Sequence, residues 1–149
     1  MSNVLSGTTR AGVISADIVA LGAAANPTFT AGNAGGAIGS VANVLGKSVT
    51  FFDGAAIANF FADLASGAIN PSMIWLAGTG AVNDLDAAEG LLLTNNAAAI
   101  NSFVASGGGL MAHGSGSAAY GWLSALLPGL NEVNGCNSTG ATLTAAGQA

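Results

Sequence analysis

Short apolar runs alternate with helical patterns along the middle of this chain, and this alternation limits the folds open to it. Apolar residues at i, i+3, i+4 and i+7 recur in several segments, which is the spacing of one helix face. Short runs that suit strands begin near Val49, Met73 and Gly109. Strands separated by helices favour βαβ crossovers. We therefore predict an α/β fold, a three-layer sandwich whose short, mainly parallel sheet has helices on both faces.

Each apolar stripe is predicted to be the buried face of a helix. Gly46 and Gly67 follow the first two stripes and are typical helix ends. The third stripe runs without interruption from Leu92 to Val104, which predicts one continuous helix. The stripes are Ile38, Val41, Ala42 and Leu45; Ile57, Phe60, Phe61 and Leu64; Leu93, Ala97, Ile100 and Val104, broadened by Leu92, Ala99 and Phe103; and Ala119, Trp122, Leu123 and Leu126. Trp75, Tyr120 and Trp122 are expected in the core or at its rim.

Both ends of the sequence are harder to interpret than its middle. We expect one domain over residues 1–149, with residues 1–33 and 131–149 the least defined by pattern. Val4-Leu5 and the run GVISADIVAL each suit a strand, and residues 22–36 are typical of a loop. The closing residues LTAAGQA leave two interpretations open, a disordered terminus or a truncated domain.

The chain carries very little charge. Charged residues make up 6% of it, the formal net charge is −5, and Arg10 and Lys47 are its only Lys or Arg residues. Nucleic-acid binding and a basic membrane-binding patch both need several cations, so both are excluded. No run reaches the roughly 20 apolar residues that span a bilayer. Cys136 is the single cysteine, so no internal disulfide or cysteine-rich metal site can form.

The same composition bears on where the protein works. Low charge with much Gly, Ala, Ser, Thr and Asn favours an extracellular or cell-surface protein, with a cytoplasmic one as the alternative. The opening residues MSNVLSGTTR have no basic segment followed by an apolar one, so we predict no secretory signal there.

Candidate site residues follow three of the predicted strands. Ligands of open parallel sheets bind beyond the carboxyl ends of the strands. The loops expected there are Asp53-Gly54, Gly78-Thr79-Gly80 and the segment from His113 through Ser115 to Ser117. We expect these loops to bind an unidentified small ligand or protein.

Each of these side chains also has a purely structural interpretation. Asp53 suits a ligand hydroxyl or the N-cap of a helix beginning at Gly54. His113 suits a general base or a strand-end histidine bonded to the backbone. Ser115 lies where a nucleophile elbow would, but that motif needs small residues two positions before and after the nucleophile, and His113 and Ser117 stand there, which favours a structural or capping role. Ser117 is a natural N-cap.

Two further clusters favour structure over ligand binding. Asp84, Asp86 and Glu89 precede and enter a helix, and the spacing of the last two is that of a capping box. We therefore predict no metal site and no cofactor. Glycines 32, 35, 36 and 39 match no phosphate-binding motif, so close backbone packing is the preferred explanation.

Three segments carry a resemblance to a known family: PSMIWLAGTGAVNDLDAAEG, INSFVASGGGLMAHGSGS and YGWLSALLPG. From about Ala34 to Leu130 the chain resembles the class I glutamine amidotransferase-like superfamily, in particular its trehalose-utilisation type. That resemblance implies a flavodoxin-like fold. Active members use a cysteine at the elbow with His and Glu further along, whereas this chain has Gly114 and Ser115 there and no later histidine.

The resemblance thus implies the fold and argues against the reaction. We expect a non-enzymatic, amidotransferase-like domain with a binding or interaction role. One alternative is a self-assembling structural subunit, hence a homo-oligomer, because low charge and small residues suit close subunit packing. Another is a hydrolase that uses Ser115 with His113, although adjacent side chains at a strand end tend to point apart.

Overall fold

The computed structural model describes residues 16–23, 34–77, 85–112 and 121–128. In chain order these residues form β1 (Ile18–Leu21), α1 (Ala34–Val44), β2 (Val49–Phe52), α2 (Ala56–Ser66), β3 (Met73–Leu76), α3 (Ala87–Asn95), α4 (Ala97–Ala105), β4 (Gly109–Ala112) and α5 (Gly121–Leu126). The predicted strands at Val49, Met73 and Gly109 are confirmed, and GVISADIVAL supplies β1. Val4-Leu5 lies outside the described residues.

The four strands form one parallel sheet in the order β2-β1-β3-β4. β1 is central and all four of its residues are buried, which explains its unbroken apolar sequence. α1 packs on β1 and β2, α2 packs on β2 and α3, and α3, α4 and α5 pack on one another. Right-handed crossovers then place α1 on one face and α2, α3 and α4 on the opposite face, where α5 packs on α3 and α4. The α/β, flavodoxin-like sandwich is confirmed.

The core lies between the sheet and the helices that cover it. Phe60 of α2 is fully buried. The centroid of its ring lies 5.4 Å from the ring centroid of Phe52 and 5.1 Å from that of Phe61. Trp75 and Trp122 are also buried, as predicted. Other fully enclosed side chains are Val19, Leu21, Ile38, Ile57, Ile69, Ile74, Leu76, Leu93 and Ile100.

Two of the helix predictions need correction. In the α1 stripe Ile38 and Ala42 are buried, but Val41 and Leu45 are 44% and 63% exposed. A helix that packs on a sheet buries only the residues that face the sheet, and Leu45 lies beyond the last residue of α1. In the third stripe Val104 is 41% exposed, whereas Phe103 is buried.

The predicted continuous helix from Leu92 to Val104 is in fact two helices, α3 and α4, that meet at Asn96. The Asn96 backbone leaves the helical region, with φ −111° and ψ 15°. Its side-chain Nδ2 donates to the Leu92 carbonyl at 2.8 Å. Asparagine competes in this way with the helical hydrogen bonds, and the apolar spacing gave no sign of it.

The glycine predictions have mixed outcomes. Gly67 ends α2 in the left-handed conformation with φ 70°, as expected, and Gly46 has φ 62° just beyond α1. Residues 34–36 are helical, so the predicted loop ends earlier than position 36. Gly39 has no neighbouring atom within 4 Å of where a Cβ would stand, so close packing does not explain it. Gly32 lies outside the described residues.

None of the helices in the described ranges is both long enough and apolar enough to cross a membrane.

Candidate functional site

The carboxyl ends of the four parallel strands lie along one edge of the sheet, which we call the carboxyl edge. In the described residues, β1 leads there into Gly22 and Ala23, β2 into Asp53 and Gly54, and β3 into Ala77. From β1 the chain continues to β2 on one side, and it then passes over β1 to form β3 on the other side. The direction in which strands are added therefore reverses between β1 and β3. In open α/β sheets a crevice forms at such a reversal, and ligands bind there.

Asp53 is the one predicted site residue that the described residues include. It follows β2 directly, and its side chain is exposed at the carboxyl edge. The alternative prediction, that Asp53 caps the next helix, is wrong. The N-cap of α2 is Ala55, and no side chain forms a cap hydrogen bond there. Thr79, His113, Ser115 and Ser117 lie outside the described residues, so their predicted roles stay predictions.

The capping box predicted at Asp86 and Glu89 is confirmed. The Glu89 N–H donates to Asp86 Oδ1 at 2.8 Å, and the Asp86 N–H donates to Glu89 Oε2 at 2.7 Å. These two bonds fix the start of α3 at the carboxyl edge. Asp84 lies outside the described residues.

Glu89 does more than the sequence predicts. Its second oxygen, Oε1, accepts a hydrogen bond of 2.7 Å from the backbone N–H of Gly54, which precedes it by 35 positions. Glu89 is 4% exposed and is the one charged residue buried among those described. It therefore joins the β2–α2 turn to the N-terminus of α3.

Burial raises the pKa of Glu89 above its ordinary value, because a buried carboxylate loses its hydration. The hydrogen bonds from the Asp86 and Gly54 N–H groups favour the ionised form and lower the pKa, whereas the Asp53 carboxyl raises it further. The net direction is upward. Glu89 thus retains its proton to a higher pH than a solvated glutamate.

Charge differs between the two edges of the sheet. Lys47 precedes β2 and Asp17 precedes β1. Their ion pair of 3.6 Å therefore lies at the opposite edge of the sheet, where the strands begin, which we call the amino edge. The charged side chains at the carboxyl edge, within the described part of the chain, are Asp53, Asp86 and Glu89. An acidic edge repels anionic ligands and suits neutral hydroxyl groups or cations. In the same described ranges, no group of three or more His, Cys, Asp or Glu residues is placed to hold a metal ion.

Leu85 packs over the end of β1 at this edge. A Cβ built on Gly22, whose φ is +77°, would stand 2.6 Å from Leu85 Cγ. This close approach brings the segment that leads into α3 against the strand beside the reversal of strand order. The carboxyl edge thus includes Gly22, Leu85, Asp53 and the bond between Gly54 and Glu89.

Comparisons with known proteins gave no match that could assign the chain: no family model matches it, and neither the curated proteins nor the solved structures include a significant match.

Proposed function

We propose that this chain is a non-catalytic, amidotransferase-like α/β domain that binds a small ligand or a protein partner at the carboxyl edge of its sheet, as part of an exported or cell-surface protein. The supporting observation is the exposed carboxylate of Asp53 at the end of β2, on the edge where the strand order reverses. A carboxylate in that position accepts hydrogen bonds from ligand hydroxyls.

The ligand class follows from the charges at this edge. Asp53, Asp86 and Glu89 all lie there, while the Lys47 side chain is paired with Asp17 at the opposite edge. Phosphate and carboxylate groups would meet repulsion and find no side-chain cation in the described part of the edge. We therefore propose a neutral, hydroxyl-rich ligand, such as a sugar or a polyol.

Backbone amide NMR of the intact chain would test this proposal. Neutral mono- and disaccharides are titrated in, with inorganic phosphate as the anionic comparison. The expected shifts are at Gly22, Asp53, Gly54 and Ala77, and they should disappear in Asp53→Ala. Asp63→Ala, in the last turns of α2, is the matched control and should bind like the unmodified chain. Shifts confined to α4, or binding unaffected by Asp53→Ala, would contradict the proposed site.

The absence of catalysis is tested separately. Glutamine hydrolysis and ester hydrolysis are measured on the intact chain, beside Ser115→Ala and His113→Ala variants. We expect no turnover above the buffer rate in any of them. Turnover that depends on Ser115 and His113 would establish the hydrolase alternative in place of a binding domain.

Self-assembly is the second candidate function, and one observation favours it. Three large apolar side chains lie exposed at the end of α1, with Val41, Val44 and Leu45 at 44%, 83% and 63% of full exposure. Exposed apolar groups that lie together are typical of interfaces.

Light scattering coupled to size exclusion, over a wide range of concentrations, distinguishes this candidate from a monomeric binding domain. If α1 forms the interface, Val44→Lys should give a monomer, and Asn43→Lys on the same helix should not. A monomer at every concentration would exclude self-assembly.

A further inference from the structure

β4 is much less covered than the strands in the middle of the sheet. β1 is buried at all four positions and β3 at its last three, whereas Leu110 and Met111 of β4 are 36% and 41% exposed and Ala112 is exposed as well. Successive side chains of a strand point to opposite faces, so Leu110 and Met111 are exposed on different faces of the sheet. Parallel strands are ordinarily covered on both faces. The sheet is therefore incomplete at β4.

The backbone of β4 is also open along its outer side. The Gly109 N–H donates to the Ser72 carbonyl at 2.9 Å, which directs the backbone groups of Gly109 toward β3. Because backbone groups alternate in direction along a strand, the N–H and C=O groups of Leu110 and Ala112 point away from β3. Among the strands of the described ranges, β4 pairs with β3 alone. Leu110 and Ala112 thus offer donors and acceptors to one further strand.

The sequence around β4 does not protect this open side. Proteins commonly protect an exposed sheet edge with charged residues, with proline or with a shortened strand, or they cover it with another segment. Residues 105–112 contain neither a charged residue nor a proline. β4 has four residues, as do β1, β2 and β3, so it is not shortened either. We therefore expect another segment to cover β4.

The position of α5 indicates which segment this is. α5 follows β4 and packs on α3 and α4, so it lies on the face of the sheet that these two crossover helices occupy. A right-handed crossover on that face extends the sheet in the direction from β3 to β4. A strand that follows α5 would therefore be added parallel to β4, on its open side. A crossover helix also returns the chain to the amino edge, where such a strand begins.

The sequence ATLTA at residues 141–145 suits that strand. Threonine favours extended backbone, glycines 140 and 147 bound the run, and residues 134–149 carry no charge. Residues 129–140 connect the run to the end of α5, and they reach up to about 40 Å, which is far more than the separation between a helix layer and its sheet. Attachment to the same chain also gives this run a higher local concentration than a second copy has.

We propose that residues 141–145 dock on the open side of β4 as a fifth parallel strand of the same molecule. Their backbone pairs with the N–H and C=O groups of Leu110 and Ala112. Thr142 and Thr144 then face one side of the sheet, and Leu143 faces the other side together with the two alanines of the run. The docked strand covers the exposed apolar edge. It requires no ligand and is independent of the proposed binding function.

Amide hydrogen exchange of the intact chain without ligand tests the docking. We expect the Leu110 and Ala112 amides to be protected, with the paired Gly109 amide as the internal reference. Of two adjacent N–H groups in the docked strand one faces β4, so replacing Thr142 and Leu143 together by proline removes a bond of the ladder. Protection at Leu110 and Ala112 should then be lost while that at Gly109 remains. Unprotected Leu110 and Ala112 amides in the unmodified chain would overturn the proposal.

Prolines at Asn137 and Ser138, among the connecting residues, provide the matched control. This variant should keep the protection of Leu110 and Ala112. If it lost that protection as the first variant does, the assignment of residues 141–145 as the docked strand would be wrong.

Mixed isotope labelling distinguishes docking within one molecule from pairing between two. Half of the sample is labelled with heavy nitrogen and half with heavy carbon. Nuclear Overhauser contacts from residues 141–145 to Leu110 and Ala112 should appear in a uniformly labelled sample and be absent between differently labelled molecules. Contacts between differently labelled molecules would show that a second copy covers β4, and contacts from another segment would likewise overturn the proposal. This measurement uses the unmodified chain, so it decides the matter even if a proline variant does not fold.

Discussion

Leu85 lies so close to Gly22 that a methyl group at position 22 would stand 2.6 Å from Leu85 Cγ and 3.4 Å from its Cα. Gly22 also has φ +77°, a conformation that side-chain-bearing residues rarely adopt. Two independent constraints therefore require glycine at the end of the central strand. The contact with Leu85 also places the segment leading into α3 directly against the carboxyl edge.

Gly22→Ala should be strongly destabilising because it meets both constraints. Gly46 has a similar φ of +62° but no atom within 4 Å of its virtual Cβ, so Gly46→Ala isolates the conformational cost. That cost is about 1–2 kcal/mol, and overpacking at Gly22 should add about 1–3 kcal/mol. Urea unfolding measures both variants, with Leu85→Ala added to relieve the clash. Equal losses for Gly22→Ala and Gly46→Ala would show that Leu85 yields freely.

Asp17 and Ser48 hold the amino edge together through reciprocal bonds. The Ser48 N–H donates to Asp17 Oδ2 at 2.8 Å, and the Asp17 N–H donates to Ser48 Oγ at 2.9 Å. The Ser48 N–H bond, followed by that from the hydroxyl, holds the pKa of Asp17 below its ordinary value. The stability that this carboxylate contributes is therefore present above its unfolded-state pKa and is lost as pH falls through the folded-state pKa.

Replacement of Asp17 by Asn should flatten the loss of stability on the acid side. Ser48→Ala should lower stability at neutral pH, whereas Ser102→Ala, exposed on α4, should not. Denaturant unfolding at a series of pH values from 2.5 to 7, about the range in which carboxyls titrate, provides the measurement. The same acid-side slope in Asp17→Asn and in the unmodified chain would contradict the assignment. The pKa of Glu89 is raised instead, so the stability that it contributes is lost as pH rises, and the two groups can be distinguished by the sign of the pH effect.

Much of the fold could be predicted because its signals are local. Val49–Phe52 and Met73–Leu76 are short, apolar and bounded by turn residues, and the helix stripe at Ile57, Phe60 and Phe61 repeats with the period of a buried face. The capping box at Asp86 and Glu89 is likewise a spacing of three residues. Each of these features depends on neighbours within one or two turns of chain.

The remaining features depend on contacts between distant parts of the chain. The bond from Gly54 to Glu89 spans 35 positions, and no sequence spacing indicates it. The approach of Leu85 to Gly22 is equally non-local. Sequence therefore predicted Asp53 as a site residue from its place after a strand, but not the buried acid beside it. The capping-box spacing identified Glu89 as a helix-start residue, but that spacing indicates neither its burial nor its bond to Gly54.

Phe60 should be among the most sensitive positions of the core. It is fully buried and packs on Phe52 of β2 and Phe61 of its own helix. Phe60→Ala should cost about 3–5 kcal/mol, with Phe60→Leu costing much less because most of the volume is kept. Phe52→Leu, at a half-buried position, is the comparison. If Phe60→Ala lowered the free energy of unfolding by less than Phe52→Leu does, α2 would not pack on β2 as described.

Trp122 offers a test of a polar atom that the packing leaves without a partner. The indole is 1% exposed, and its Nε1 has no hydrogen-bond partner among the described residues. An unsatisfied buried donor costs about 1–3 kcal/mol, which offsets part of what the ring gains by burial.

Trp122→Phe removes the donor and some volume together, so its unfolding free energy should stay within about 1 kcal/mol of the unmodified chain. Trp122→Ala, which loses the ring, should cost about 3–5 kcal/mol. Denaturant unfolding of the two variants compares them directly. A Trp122→Phe loss as large as that of Trp122→Ala would show instead that the N–H makes a strong hydrogen bond in solution.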